Sequence, residues 1–216
     1  MPAGLRWRGL AVVLAAMEAL KAFAAWMRTP RWPAIAVAGC LALLQGCAVY
    51  NTTSDGADSD LMLSGHDPVS YFESARPAQG QTSLTARHRH GTYRFASIEN
   101  RAKFTSNPER YVPQYGAFCA KGASYAIRAG GNPLVYEIRA GRLFIFVNDY
   151  ARDYWRTDPN DFVSKADGYW NTELEDAPVK WTNLKRYLFR VPHYKTYPEE
   201  FADYERRTGK PAPNRR

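Results

Sequence analysis

Four residue types in this chain could do chemistry, and they are few. The thiol of Cys119, the imidazoles of His66, His88, His90 and His193, the hydroxyl of Ser70 and the phenols of Tyr71 and Tyr115 are the groups from which a site would be built. A thiolate with an imidazole is a soft ligand pair suited to copper or zinc, and a thiolate alone is a nucleophile. His88 and His90 alternate onto one face of a strand, a spacing that chelates, although Arg87 and Arg89 beside them mark a solvated hairpin. A free cysteine between Phe118 and Ala120 reads first as a small buried apolar residue. No Ser-His-Asp order, paired carboxylates, glycine-rich phosphate loop or CxxC is present, so no catalytic residue is assigned and a binding protein is expected rather than an enzyme.

The elements that would position these groups follow from patterning. Asp67 caps and Pro68 opens a short helix containing Ser70, Tyr71 and Phe72. Residues 82–90 and 91–96 alternate as a hairpin turning at His90-Gly91, with Tyr93 and Phe95 on one face. Ser97 caps a helix carrying Ile98, Ala102 and Phe104, stopped by Asn107-Pro108. Residues 109–120 are aromatic and irregular. Residues 134–138 and 142–147 form a second hairpin around Ala140-Gly141, and Asp158-Pro159 opens a helix striped by Phe162, Ala166 and Tyr169. The fold class is α+β, with two β-hairpins and several short helices.

Beyond residue 177, Trp181, Leu184, Leu188 and Val191 recur at helical spacing between Lys180, Lys185, Arg186 and Arg190. Such a helix either packs its apolar stripe on the domain or lies on anionic headgroups. A final helix from Pro198 places Glu199 and Glu200 at its start and Arg206 and Arg207 at its end, before Gly209.

The net charge of +8 is unevenly spread. Residues 1–46 carry five basic side chains and one acid, residues 177–216 ten and four, which leaves residues 47–176 at 14 basic against 16 acidic. A central domain with no basic excess argues against a nucleic-acid partner.

From Met27 the chain reads basic, then apolar and uncharged from Trp32 to Leu44, then Leu44-Gln45-Gly46-Cys47. The apolar run is too short to span a bilayer as a helix. Its ending resembles the lipobox of bacterial lipoproteins. That resemblance implies cleavage before Cys47, acylation there, and, with Ala48 following, an outer-membrane lipoprotein facing the periplasm. Cys40 lies in a weaker version of the same pattern. The expected organisation is 1–46 export segment (translation starting at Met27), 47–62 lipidated tether of flexible acidic composition, 63–176 folded domain, 177–216 basic helical extension.

Three linked motifs, Gly65-His66-Asp67-Pro68-Val69-Ser70-Tyr71-Phe72, Tyr93-Arg94-Phe95-Ala96-Ser97 and Asn107-Pro108-Glu109-Arg110-Tyr111 through Tyr115-Gly116-Ala117-Phe118-Cys119, resemble the YHS domain-containing family of small exported bacterial proteins. The resemblance implies a compact α+β domain, over residues 63 to about 170, in a family largely of uncharacterised function; the function expected of this chain is binding of a small ligand or an envelope protein partner. Relatives that handle metals carry Asp-Pro-Val-Cys; Ser70 stands here at the cysteine position. The alternative function is therefore a copper- or zinc-type module on His66 and Cys119, with Ser70, Tyr71 and Tyr115 as candidates to line a ligand pocket and no cofactor otherwise expected.

Overall fold

Alternating apolar residues and two tight turns produce the two hairpins in this computed structural model, which describes residues 21, 50–175, 177, 179–189 and 195–213. Met27, Cys40, Cys47 and His193 lie outside the described residues. The first hairpin joins β3 (Gln81–His88) and β4 (Gly91–Phe95), and α2 (Ile98–Ser106) follows it; the second joins β5 (Asn132–Arg139) and β6 (Arg142–Phe146), followed by α4 (Asp149–Trp155). Both strand pairs are antiparallel, and each has one register shift, between Gln81 and Thr85 and between Asn132 and Tyr136.

The two halves repeat, at an offset of 51 residues through the hairpins and helices and of 52 in the turn upstream of them. Gln81 pairs with Phe95 as Asn132 pairs with Phe146, and His88 with Gly91 as Arg139 with Arg142. Ser97 caps α2 by accepting from Asn100 N at 3.1 Å, and Asn148 caps α4 by accepting from Ala151 N at 2.9 Å. Pro108 and Pro159 each open the next helical segment. Upstream, a turn with three successive left-handed residues, Leu63, Ser64 and Gly65, recurs as Tyr115, Gly116 and Ala117. Just before the first strand of each hairpin, a Cβ on Gly80 would meet the Arg94 backbone and one on Gly131 the Ala117 carbonyl and Ile145, so the bare glycine lets the partner strand close in both halves.

Each half buries an aromatic cluster. Phe104 packs on Tyr93 and Phe95 with ring centroids 4.8 and 5.2 Å apart, and Trp155 packs on Phe144 and Phe146 at 5.3 and 5.4 Å. α5 (Pro159–Tyr169) adds Phe162 and Ala166, as its stripe predicts. In α2 the stripe is thinner than expected. Only Phe104 is buried, and Ile98 is 61% exposed. The irregular stretch runs parallel to β6 through bridges Pro113 to Leu143 and Cys119 to Ile145, which passes its backbone bonds to a strand.

The expected tether is instead a strap. β1 (Thr52–Thr53) pairs with β2 (Leu61–Met62), and β2 pairs parallel with β4, giving a four-stranded sheet ordered β1-β2-β4-β3. Composition misled because the acids are counter-charges: Asp55 and Asp58 hold the buried Arg94 at 2.5 and 2.6 Å, and Asp60 holds Arg87 at 2.6 Å. Gly91 belongs to β4 rather than to the turn, which is Arg89-His90, and its missing side chain makes room for Met62 of the strap.

The C-terminal residues join the same compact unit, which runs from Cys47 to Arg216. α7 (Tyr197–Thr208) starts at the Thr196 and Glu199 capping box and ends at left-handed Gly209. It sets Tyr204 against Tyr150 at 4.6 Å and buries Asp203 against the Tyr154 hydroxyl. α6 (Val179–Phe189) departs from the packed-stripe expectation: Thr182 and Arg186 are buried, while Leu184 and Leu188 face outward.

Candidate functional site

The segment Asp67-Pro68-Val69-Ser70 is fastened through both of its polar side chains. The fully buried Asp67 accepts from Val69 N at 2.9 Å, Ala96 N at 2.9 Å and Asn100 Nδ2 at 2.6 Å, which ties the start of α1 (Ser70–Glu73) to the end of β4 and the first turn of α2. Ser70 Oγ donates to Asp67 O at 2.6 Å and accepts from Ala78 N at 2.8 Å. Tyr71 donates to Pro133 O at 3.0 Å and meets Tyr136 edge-on. His66 Nδ1 lies 2.9 Å from Leu63 O, and its backbone bridges Gln79. These four residues stitch the fold together.

Cys119 belongs to the second half, where it occupies the place of Asp67. Asp67 N donates to Ala78 O and Cys119 N to Ala129 O, both at 2.9 Å. The N–H of Val147 faces the Cys119 sulfur as that of Ala96 faces the Asp67 carboxylate. Burial pushes the Cys119 thiol up, and the N–H groups of Gly122, Val147 and Lys121 pull the other way without overcoming it. At the place of Asn100 stands Ala151, and Cys119 and Ala151 line a cavity of about 320 Å³ that Tyr125, Tyr150, Tyr197 and Glu200 wall. Its cations are matched: Lys121 pairs with Glu200, and Lys195 with Asp203 at 2.7 Å. His66 and Cys119 are thus bonded into different halves, and among the described residues no group of three or more His, Cys, Asp or Glu is placed to hold a metal.

Tyr115 lies elsewhere, in a polar cleft of about 580 Å³ where the halves meet. Arg142, the first residue of β6, sends Nη1 to Asp167 Oδ2 at 2.9 Å and Nη2 to Asp167 Oδ1 at 2.6 Å, with Nε and Nη2 on Gln114 Oε1 at 3.0 and 2.8 Å. Tyr115 donates to Asp167 Oδ1 at 2.8 Å. Burial works to raise the Asp167 carboxyl, and the bonds from Arg142 and Tyr115 outweigh it, so it titrates below the usual aspartate range. Burial, joined by the bond to Asp167, pushes the Tyr115 phenol up, so it stays a neutral donor. Across the cleft Arg89 pairs with Glu109 at 3.1 Å and Glu175 at 3.5 Å. Gly116 sits between the rings of Tyr50 and Trp170, where a Cβ would strike Tyr50.

The cleft therefore presents two guanidinium forks, each opposed by carboxylate, with Gln114 and Asn171 beside them. Among the described residues that line it there is no cysteine, serine or histidine. Such a set can grip planar or hydroxylated polar groups from several sides. Of the predicted site residues, only Tyr115 reaches it. Arg89, Arg142 and Asp167 have no local signature, since each looks like an ordinary surface charge until the hairpin turns are brought together. No family model, no curated protein and no solved structure matches the chain.

Proposed function

We propose that this chain is a cell-envelope lipoprotein, anchored through Cys47, whose YHS-like domain binds a small polar ligand in the Arg89–Arg142 cleft and does not transform it. The supporting observation is the cleft itself: donors and acceptors converge on a single roomy site, while the nucleophilic thiol is buried in another part of the fold. Opposed charges of both signs fit a polyhydroxylated or zwitterionic ligand better than a simple anion, because each guanidinium is already neutralised.

The reading is tested by thermal unfolding with neutral sugars, polyols and amino acids. Binding raises the midpoint with ligand concentration as RT ln(1 + [L]/Kd), and Arg142→Ala or Asp167→Asn abolishes the rise. If no such compound shifts the midpoint, the ligand class is wrong. Labelled palmitate entering the wild type but not Cys47→Ala tests the anchor.

A further inference from the structure

α6 meets the rest of the protein with its polar side. Asn183 accepts from Arg128 N at 3.0 Å and donates to Arg128 O at 3.1 Å, completing a backbone-like pair with a side chain. Arg186, 3% exposed, pairs with Glu173 and stacks 5.0 Å from the Tyr169 ring. Among the described side chains, three apolar ones point away: Leu184 is 47%, Leu188 59% and Phe189 65% exposed. Leu184 and Leu188, four apart, form one stripe, and a helix docked by its apolar stripe would bury both. An outward stripe of this kind marks contact with another apolar phase.

Charge and position identify that phase. α6 contains no aspartate or glutamate, Lys185 is half-exposed on its flank at 3.8 Å from Glu173, which Arg186 already pairs, and residues 177–216 carry ten Lys or Arg against four acids. The segment Trp170–Leu174 supports α6 through Glu173 and, through Trp170 and Gly116, contacts Tyr50, where the described chain begins. Tyr50 follows Cys47 by three residues, a reach of about 10 Å at full extension. We infer that α6 lies on an anionic bilayer, with Leu184, Leu188 and Phe189 at the headgroup and acyl boundary and Lys185 at the phosphates, a second membrane signal beside the lipid. The location of the helix rests on acylation of Cys47; its chemistry does not.

The test uses residues 47–216 with Cys47→Ser, which is unacylated, in co-sedimentation with phosphatidylcholine vesicles with and without phosphatidylglycerol. The protein is expected to sediment with the anionic vesicles and to be released by salt, and Leu184→Asp with Leu188→Asp to weaken binding roughly tenfold or more. Lys185→Glu weakens it less and flattens the salt dependence. Far-UV circular dichroism and melting identical to the parent show that the fold is kept, and Leu188→Asn provides a milder second variant. Binding that is absent, or unchanged in the aspartate variants, overturns the inference. So does self-association that Leu188→Asp abolishes, since a second copy would then cover the stripe. Failure of palmitate labelling at Cys47 leaves this assay untouched, so the two readings fail separately.

Discussion

Asp67→Ala tests whether the Asp-Pro-Val motif is a folding device. The carboxylate is fully buried and accepts three hydrogen bonds, two from backbone N–H groups and one from Asn100, all at 2.9 Å or less. A hydrogen bond to a charged group contributes about 1.5–3 kcal/mol, and each donor left buried and unpaired adds its own desolvation cost. Against that, removing a buried carboxylate relieves the cost of its own burial, so the net loss is about 3–5 kcal/mol. For a domain stable by about 5–15 kcal/mol, that is a large fraction of the whole. Urea unfolding of residues 47–216 should show a lower midpoint at unchanged slope. Asn100→Ala and the double variant close a cycle, with a coupling of about 1–3 kcal/mol expected for the 2.6 Å contact. Asp67→Cys with Asn100→Ala copies the Cys119 and Ala151 arrangement of the second half and should recover part of the loss. A cost below about 1 kcal/mol for Asp67→Ala, or strictly additive single effects, would refute the assignment of Asp67 as the tie between α1, β4 and α2.

Gly80→Ala and Gly131→Ala should each destabilise by about 1–3 kcal/mol in chemical denaturation, because both place a methyl group against backbone at the equivalent position before the first strand of each hairpin. Cys119 should resist a small alkylating reagent in the folded protein and react fully in denaturant, as mass spectrometry would record; rapid native labelling would show the 320 Å³ cavity to be open to the thiol. Asp167 has a lowered folded pKa, so its contribution is fully present above the ordinary aspartate value near 3.9 and is lost as pH falls through the depressed one. Unfolding titrations below pH 4 should therefore converge for wild type and Asp167→Asn. Divergence on acidification would reverse the sign of that shift.

Much of the backbone was legible because its signals are local. Ser97, Asn107-Pro108, Asp158-Pro159 and the alternation around Ala140-Gly141 sit beside the elements they define. The strap was illegible because its partners are remote: Asp55 and Asp58 find Arg94 across 39 and 36 residues, so acidity that signifies solvation in isolation signifies pairing here. α4 escaped notice because its 7 residues make only two turns, too few for a helical period to stand out, although aligning the chain on itself at 51 residues matches Asn148 to Ser97 and exposes it. Of the cleft, Tyr93, Glu109, Tyr115 and Gly116 stand in sequence motifs, and the two arginines and Asp167 do not. Arg142 becomes part of a site only when Asp167, 25 residues later, is folded against it.

Asn51 links the beginning of the chain to its middle. Its amide donates to Ala117 O at 3.2 Å and Gly131 O at 3.1 Å, partners 66 and 80 residues downstream. Each hairpin with its helix can form from neighbours as soon as it has been synthesised, and the strap can pair with β4 of the first, whereas Asn51 must wait for residues 117 and 131 to exist. Closing loops of this length costs about (3/2)RT ln n in chain entropy, which is repaid only when both halves are in place. The first residues of the domain to be made are therefore among the last to settle.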